Sequence, residues 1–112
     1  MCLFCKIATK EIGAKILFED DDLVAFSDIH PVAPTHALVV PKRHIQSLNE
    51  ASPDDAALLG RLLLAARRVA TEAGLGSSGW RAVANTGPDA GQSVFHVHVH
   101  VLGGRAMAWP PG

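Results

Sequence analysis

Gln92-Ser93-Val94-Phe95-His96-Val97-His98-Val99-His100-Val101-Leu102 holds three of the six histidines of the chain, each followed by a valine. Period-two alternation in a valine-rich run predicts a strand. Successive side chains of a strand point to opposite faces. His96, His98 and His100 therefore share one face, while Phe95, Val97, Val99 and Val101 form an apolar face suited to a core. Same-face neighbours then stand roughly 6.5–7 Å apart, twice the rise per residue. Imidazole is the side chain whose ordinary pKa lies nearest neutrality, and its neutral nitrogen serves as nucleophile or metal ligand. Such a row has three possible uses: incidental histidines on a half-exposed strand, one metal site taking all three, or a division of roles among them. Zinc–nitrogen bonds of about 2.0–2.1 Å let adjacent same-face histidines share an ion, but the outer pair reaches a common ion with difficulty. The rest of the chain favours a division of roles.

The chain has 112 residues, the size of one compact domain, read as a single domain over 1–112. Hydrophobic residues make up 48%, enough for one core, whereas aromatics are only 5%, so Trp80, Trp109 and the phenylalanines mark chosen places. A formal net charge of −1 and the lack of a basic run argue against nucleic acid or a membrane surface as the main partner. The N-terminus has no apolar signal-peptide core, and no run approaches a membrane span. Two cysteines at one end do not make a secreted disulfide framework. A soluble cytoplasmic protein is the expectation.

Before the histidine run, Cys2-Leu3-Phe4-Cys5 leads into Lys6-Ile7-Ala8, a short helical turn. A lone Cys-x-x-Cys is half a zinc site, a redox pair or chance. Redox pairs follow a strand at the start of a helix, and no strand precedes these residues. Tetrahedral zinc would need two more ligands from elsewhere. Residues 15–19 and 23–27 read as strands joined by Asp20-Asp21-Asp22, a hairpin connection better suited to solvent than to a metal. Asp28 follows the second strand, where a carboxylate either bonds ribose hydroxyls or forms a turn. His30-Pro31-Val32-Ala33-Pro34 is a stiff connection, each proline fixing φ. Residues 35–41 form a third strand with His36 at its start, and Pro41-Lys42-Arg43-His44 turns out of the sheet.

Ser52-Pro53-Asp54-Asp55 opens a helix, with Ser52 as cap, Pro53 in the first turn and two acids at the positive end of the dipole. Leu58, Leu59, Leu62, Leu63, Ala66, Val69, Ala70 and Ala73 recur at helical spacing and mark its buried face. Gly74 ends the helix. Residues 80–85 form a fourth strand, and the glycine-bearing loop 85–93 enters the histidine run. Glycines let backbone N–H groups approach a ligand closely, and Ser93 adds a hydroxyl. Immediately before His98 and His100, such a loop suits a phosphate.

His-φ-His-φ-His-φ-φ, with φ apolar, resembles the signature of the histidine triad family. Phe26-Ser27-Asp28-Ile29, Pro34-Thr35-His36, Pro41-Lys42-Arg43-His44 and Asn85-Thr86-Gly87 are similar to landmarks of its nucleotide-binding branch, as is the ending Gly103-Gly104-Arg105 with Trp109-Pro110-Pro111-Gly112. The resemblance spans essentially the whole chain. It implies an α+β fold with about five antiparallel strands, one long helix and a short N-terminal helix, in a two-fold homodimer. It implies a purine nucleoside 5′-phosphoramidate hydrolase that frees a nucleoside monophosphate and an amine.

By position, His98 is then the nucleophile that carries the nucleotidyl group, His100 and Ser93 contact the phosphate or leaving group, and His36 orients the imidazoles and relays protons. Asp28 falls at the ribose position. Phe4, Ile7, Phe26, Ile29 and Leu38 fall at the base pocket. Asn85, Gly91, Gln92, Ser93 and Val99 complete the nucleotide site. No metal is needed for this cycle. Relatives that keep the N-terminal Cys-x-x-Cys resemble this chain in a structural zinc set, matched here by Cys2, Cys5, His44 and His96. A closed Cys2His2 set is structural. The rivals are a dinucleoside polyphosphate hydrolase of the same superfamily and a nucleotide-binding regulatory protein.

Overall fold

The computed structural model describes residues 2–112. A short helix α1 (Leu3–Ala8) precedes the hairpin β1 (Ile16–Glu19) and β2 (Leu23–Ser27), then β3 (Thr35–Pro41). The long helix α2 (Ala56–Glu72) follows, and β4 (Trp80–Val83) and β5 (Val99–Gly103) close the chain. The five strands form one antiparallel sheet in the order β1-β2-β3-β5-β4. This is the α+β architecture the sequence predicts.

The central strands are covered on both faces, so β2 is buried at four consecutive positions, Leu23 to Phe26. On one face α2 packs Leu62, Ala66 and Val69 against Ala25, Val39, Val99 and Val101. On the other, α1 lays Phe4 and Ile7 over Val24, Phe26, Leu38 and Val40. The sheet therefore separates a structural face from one where a small helix leaves room for a ligand.

The ends of the elements differ from the sequence reading. The helix opens with a tight turn over Pro53–Asp55, where Ser52 N–H donates to Asp55 Oδ2 at 2.9 Å. Asp55 also receives the Arg43 guanidinium, tying the turn after β3 to the helix. Leu63 is 56% exposed and Ala73 is exposed, while Ala65 is buried. A rotation of about 100° per residue puts Leu63 at the rim of the face centred on Leu62, Ala66 and Val69. Ala73 lies past the last turn. The histidine run differs most: only residues from Val99 onward are strand, and Phe95 is 44% exposed rather than core. Ahead of β5, His96 N–H turns back to Val94 O at 3.0 Å and Val97 N–H pairs with Ile45 O at 2.7 Å. The alternation survives this bend, with Val97, Val99 and Val101 in the core beneath α2.

Asp20-Asp21-Asp22 is a turn pinned to the helix. Asp20 accepts the N–H groups of Asp22 and Leu23 at 2.8 Å, and Arg61 spans Asp20 and Asp22.

Leu62→Ala is expected to cost about 2–5 kcal/mol of stability, since it leaves a cavity between helix and sheet. Gly104→Ala is expected to destabilise too, because φ is +91° and an added Cβ would stand 2.8 Å from Pro34 Cβ. Asp21→Ala, outside every such contact, should stay within about 0.5 kcal/mol. Urea unfolding of the three variants checks this order.

Candidate active site and metal centre

The register of the sheet assembles the site. His36 on β3 pairs with Leu102 on β5, and His100 pairs with Leu38. His36 and His100 are thus diagonal neighbours on one face, within reach of long side chains. Their rings meet with His36 Nε2 2.9 Å from His100 Nδ1. Asp28, just past β2, donates its N–H to His36 O, which brings its carboxylate Oδ2 to 3.2 Å from His36 Nε2.

Hydrogen-bond partners assign the protons. Val32 N–H donates to His36 Nδ1 at 3.1 Å, so the His36 proton sits on Nε2. His36 Nε2–H faces His100 Nδ1, which leaves the His100 proton on Nε2. His98 Nδ1–H donates to the carbonyl of His96 at 2.7 Å, and its Nε2 keeps a lone pair. Phe4 stands edge-on to this ring, with centroids 5.0 Å apart. Burial pushes the His98 pKa below its ordinary value. Burial, then the neighbouring His98 and His36, push His100 down to about 4. At neutral pH these two imidazoles are uncharged.

His98 and His100 open into a cavity of about 310 Å³ walled by Phe4, Ile7, Phe26 and Leu38, with Asp28 and Ser93 at its polar side. Ile29 borders it but is 82% exposed, a lip rather than a wall. A larger cleft of about 390 Å³ near Lys15, Val69 and Glu72 shares Ser27 and Asp28 with it and includes His36, but lacks His98 and His100.

Four expected nucleotide contacts sit differently. Gly91 N–H and Gln92 N–H are spent inside their own loop, on Pro88 O and Gly87 O. The Gln92 side chain is buried as a brace: Oε1 accepts from Gly87 N–H, and Nε2 donates to Gln46 O and Val94 O. These amides leave the set of phosphate donors, and Ser93 remains. Val99 turns its side chain into the core beneath α2, because β5 alternation opposes it to His98 and His100. Asn85 lies two residues past β4, half-buried and apart from the cavity lining.

A second cluster lies beside the first. Sγ of Cys2 and Cys5 and Nδ1 of His44 and His96 are separated pairwise by 3.1–3.5 Å. Zinc bonds of about 2.0–2.3 Å give tetrahedral edges of about 3.3–3.8 Å, so the cage is of the right size and slightly tight. His96 is fully buried, and its Nε2–H donates to Pro41 O at 2.7 Å, which fixes the tautomer that offers Nδ1 to an ion. Burial, then the adjacent Cys2, raise the Cys5 thiol pKa. A divalent cation is the counter-charge that lets both thiols ionise. The donor set fits zinc. No residue type marks the Pro41 carbonyl or the Val32 amide for these roles, since both are backbone groups.

Residues 9–107 match the HIT domain. The chain belongs to the HIT family. It is 52% identical over 110 residues to an uncharacterised HIT-like protein of Synechococcus elongatus, spanning 98% of this chain and 96% of the relative. A crystal structure of a HIT family hydrolase from Legionella pneumophila is 50% identical, with a TM-score of 0.98 and full coverage of both chains. Another HIT family hydrolase, from Clostridium thermocellum, is 42% identical with a TM-score of 0.93, covering 96% of this chain and 93% of that one. Within this HIT domain, no helix among the described residues is long and apolar enough to cross a membrane.

Between pH 6.5 and about 4 the unfolded chain binds a proton at His100 that the folded protein refuses. Stability is therefore lost as pH falls through that window and is insensitive to His100 above it. His100→Asn is expected to make the fall shallower in urea unfolding at stepped pH. Equal slopes for the two proteins would contradict the assignment.

Proposed function

We propose that this HIT protein hydrolyses purine nucleoside 5′-phosphoramidates through a covalent nucleotidyl-His98 intermediate. The observation that carries the reading is the free Nε2 lone pair of His98 at an apolar cavity beside an Asp28–His36–His100 chain. The Legionella and Clostridium relatives are HIT family hydrolases, which supports hydrolysis as the reaction class.

The purine would lie among Phe4, Ile7, Phe26 and Leu38, under the lip of Ile29, and the ribose hydroxyls would donate to Asp28. His98 Nε2 attacks the α-phosphorus and the P–N bond breaks, with the amine taking a proton from solvent as it leaves, a proton that the water of the second step gives back. His100 Nε2–H and the Ser93 hydroxyl donate to the phosphoryl oxygens as charge develops there. The Nδ1–H bond to His96 O steadies the positive imidazole ring of the adduct. Water then cleaves the phosphorus–imidazole bond, releasing nucleoside monophosphate and restoring His98.

Cys2, Cys5, His44 and His96 would hold zinc as a structural clamp between the N-terminus and the residue before the nucleophile. The exposed Leu63, Leu64 and Trp109 support a homodimer that covers them. Two free thiols suit the reducing cytoplasm.

His98→Ala is expected to lower turnover of adenosine 5′-phosphoramidate at least a thousandfold while AMP still binds. A diadenosine polyphosphate should be a much poorer substrate of the wild type. Preference for the polyphosphate, or full activity without His98, would overturn the reading. Cys5→Ala should lose the metal found in the wild type by elemental analysis. Unchanged metal content would remove the clamp.

A further inference from the structure

Cys2 and Cys5 flank Phe4, one at the cap of α1 and the other in its first turn. Their sulfurs are in contact at 3.1 Å, and Cys5 N–H donates to Cys2 Sγ at 3.3 Å. A disulfide needs about 2.0 Å between sulfurs, so the pair stands about 1 Å short of one. Both thiols are half-buried and line an open hollow of about 640 Å³ with His44, Gln46 and Phe95. None of these five residues lines the cavity into which His98 and His100 open. A small solute therefore meets the sulfurs without entering the nucleotide site. Two routes lead from the sulfurs to His98. Phe4 stands edge-on to the His98 ring with centroids 5.0 Å apart, and 6.0 Å from the His96 ring. His96 Nδ1 lies 3.2 Å from Cys2 Sγ and 3.5 Å from Cys5 Sγ, and the His96 carbonyl accepts the Nδ1–H of His98.

We propose that Cys2 and Cys5 form a reversible thiol–disulfide switch that answers hydrogen peroxide and turns His98 off by dismantling the cage. In the metal-loaded cage both sulfurs are thiolates, the form that attacks peroxide. One thiolate attacks a peroxide oxygen, the O–O bond breaks, hydroxide leaves and a sulfenic acid forms. The other thiolate attacks that sulfur, the S–S bond forms and a second hydroxide leaves. Sulfur gives up two electrons, the peroxide takes them, and two solvent protons turn both hydroxides into water. A disulfide is no zinc ligand, so only His44 and His96 remain of the four donors. Closing the sulfurs by about 1 Å draws Cys2 and Cys5 together around Phe4, and His96 loses its tether at Nδ1. The His98 Nδ1–H then loses its fixed acceptor, and His98 Nε2 loses its placement. A displacement of about 1 Å can cost about a hundredfold in rate. Disulfides in a reducing compartment are usually transient sensors of this kind. The inference rests on the zinc clamp proposed above and goes beyond it, since a purely structural ion needs no open path to its sulfurs.

The test treats zinc-loaded wild type with hydrogen peroxide. It follows zinc released to a metallochromic indicator, the mass of the peptide holding Cys2 and Cys5, the His98 Nδ1–H proton resonance, and turnover of adenosine 5′-phosphoramidate. Zinc should leave in step with the loss of two hydrogens from that peptide, one ion per disulfide. Over the same interval the His98 resonance should disappear and turnover should fall at least about tenfold. A dithiol with added zinc should restore all four. If both cysteines remain thiols with zinc in place, the inference falls whatever happens to turnover, and the clamp stands. If the disulfide forms and zinc leaves while the His98 resonance and turnover persist, the cage is no switch and the inference falls. If the wild type holds no metal, the clamp reading itself fails and this inference with it. If the reduced protein never turns over the substrate, the phosphoramidase reading fails, and zinc, mass and resonance still decide the switch.

Discussion

One hydrogen bond decides which nitrogen of the central imidazole is free: His98 Nδ1–H to the carbonyl oxygen of His96, at 2.7 Å. A neutral imidazole has one donor and one acceptor nitrogen, so committing Nδ1 to a carbonyl leaves the lone pair at Nε2. Burial against Phe4 and the sheet keeps the ring uncharged near neutrality. A charged ring would have no lone pair to offer. The cavity, the neighbouring imidazoles and the cysteine cluster all bear on keeping this one atom placed and neutral.

The carbonyl that accepts the bond belongs to a residue held at both ends of its ring. His96 Nε2–H is fixed on Pro41 O, and Nδ1 belongs to the cage with Cys2, Cys5 and His44. Cys2 also caps α1, the helix that carries Phe4 and Ile7 to the cavity wall. Ordering the cage therefore orders both the apolar wall and the acceptor of the His98 Nδ1 proton. Structural metal sites contribute folding energy outright, and here it would be delivered next to His98. On the far side, the β3–β5 register sets His36 against His100, and Asp28 follows from the end of β2.

Side-chain period and local signals made much of this legible in the sequence. Val97, Val99 and Val101 alternate into the core, and α2 begins at its Ser52-Pro53-Asp54-Asp55 signals. The run 92–102 was harder. Its alternation predicts one long strand, yet the chain bends until Val99 because Val94–Val97 bond to themselves and to Ile45, a partner that no local pattern names. Phe95 comes out exposed for the same reason. The glycine loop reads as a phosphate cradle by composition. Its Gly91 and Gln92 amides are instead consumed in holding the loop, which only the folded partners Gly87, Pro88 and Gln46 reveal. The gathering of Cys2 and Cys5 with His44 and His96 depends on contacts across the sequence, so spacing alone left the Cys-x-x-Cys open and family resemblance supplied the set.

The most direct measurement is intact-mass and peptide analysis of protein quenched during turnover of adenosine 5′-phosphoramidate. A nucleotidyl adduct mapped to His98 Nε2, rising and decaying at rates that match turnover, is the expected result. Turnover with no adduct at any time, or an adduct on His96 or His100 instead, would contradict the placement of the free lone pair on His98.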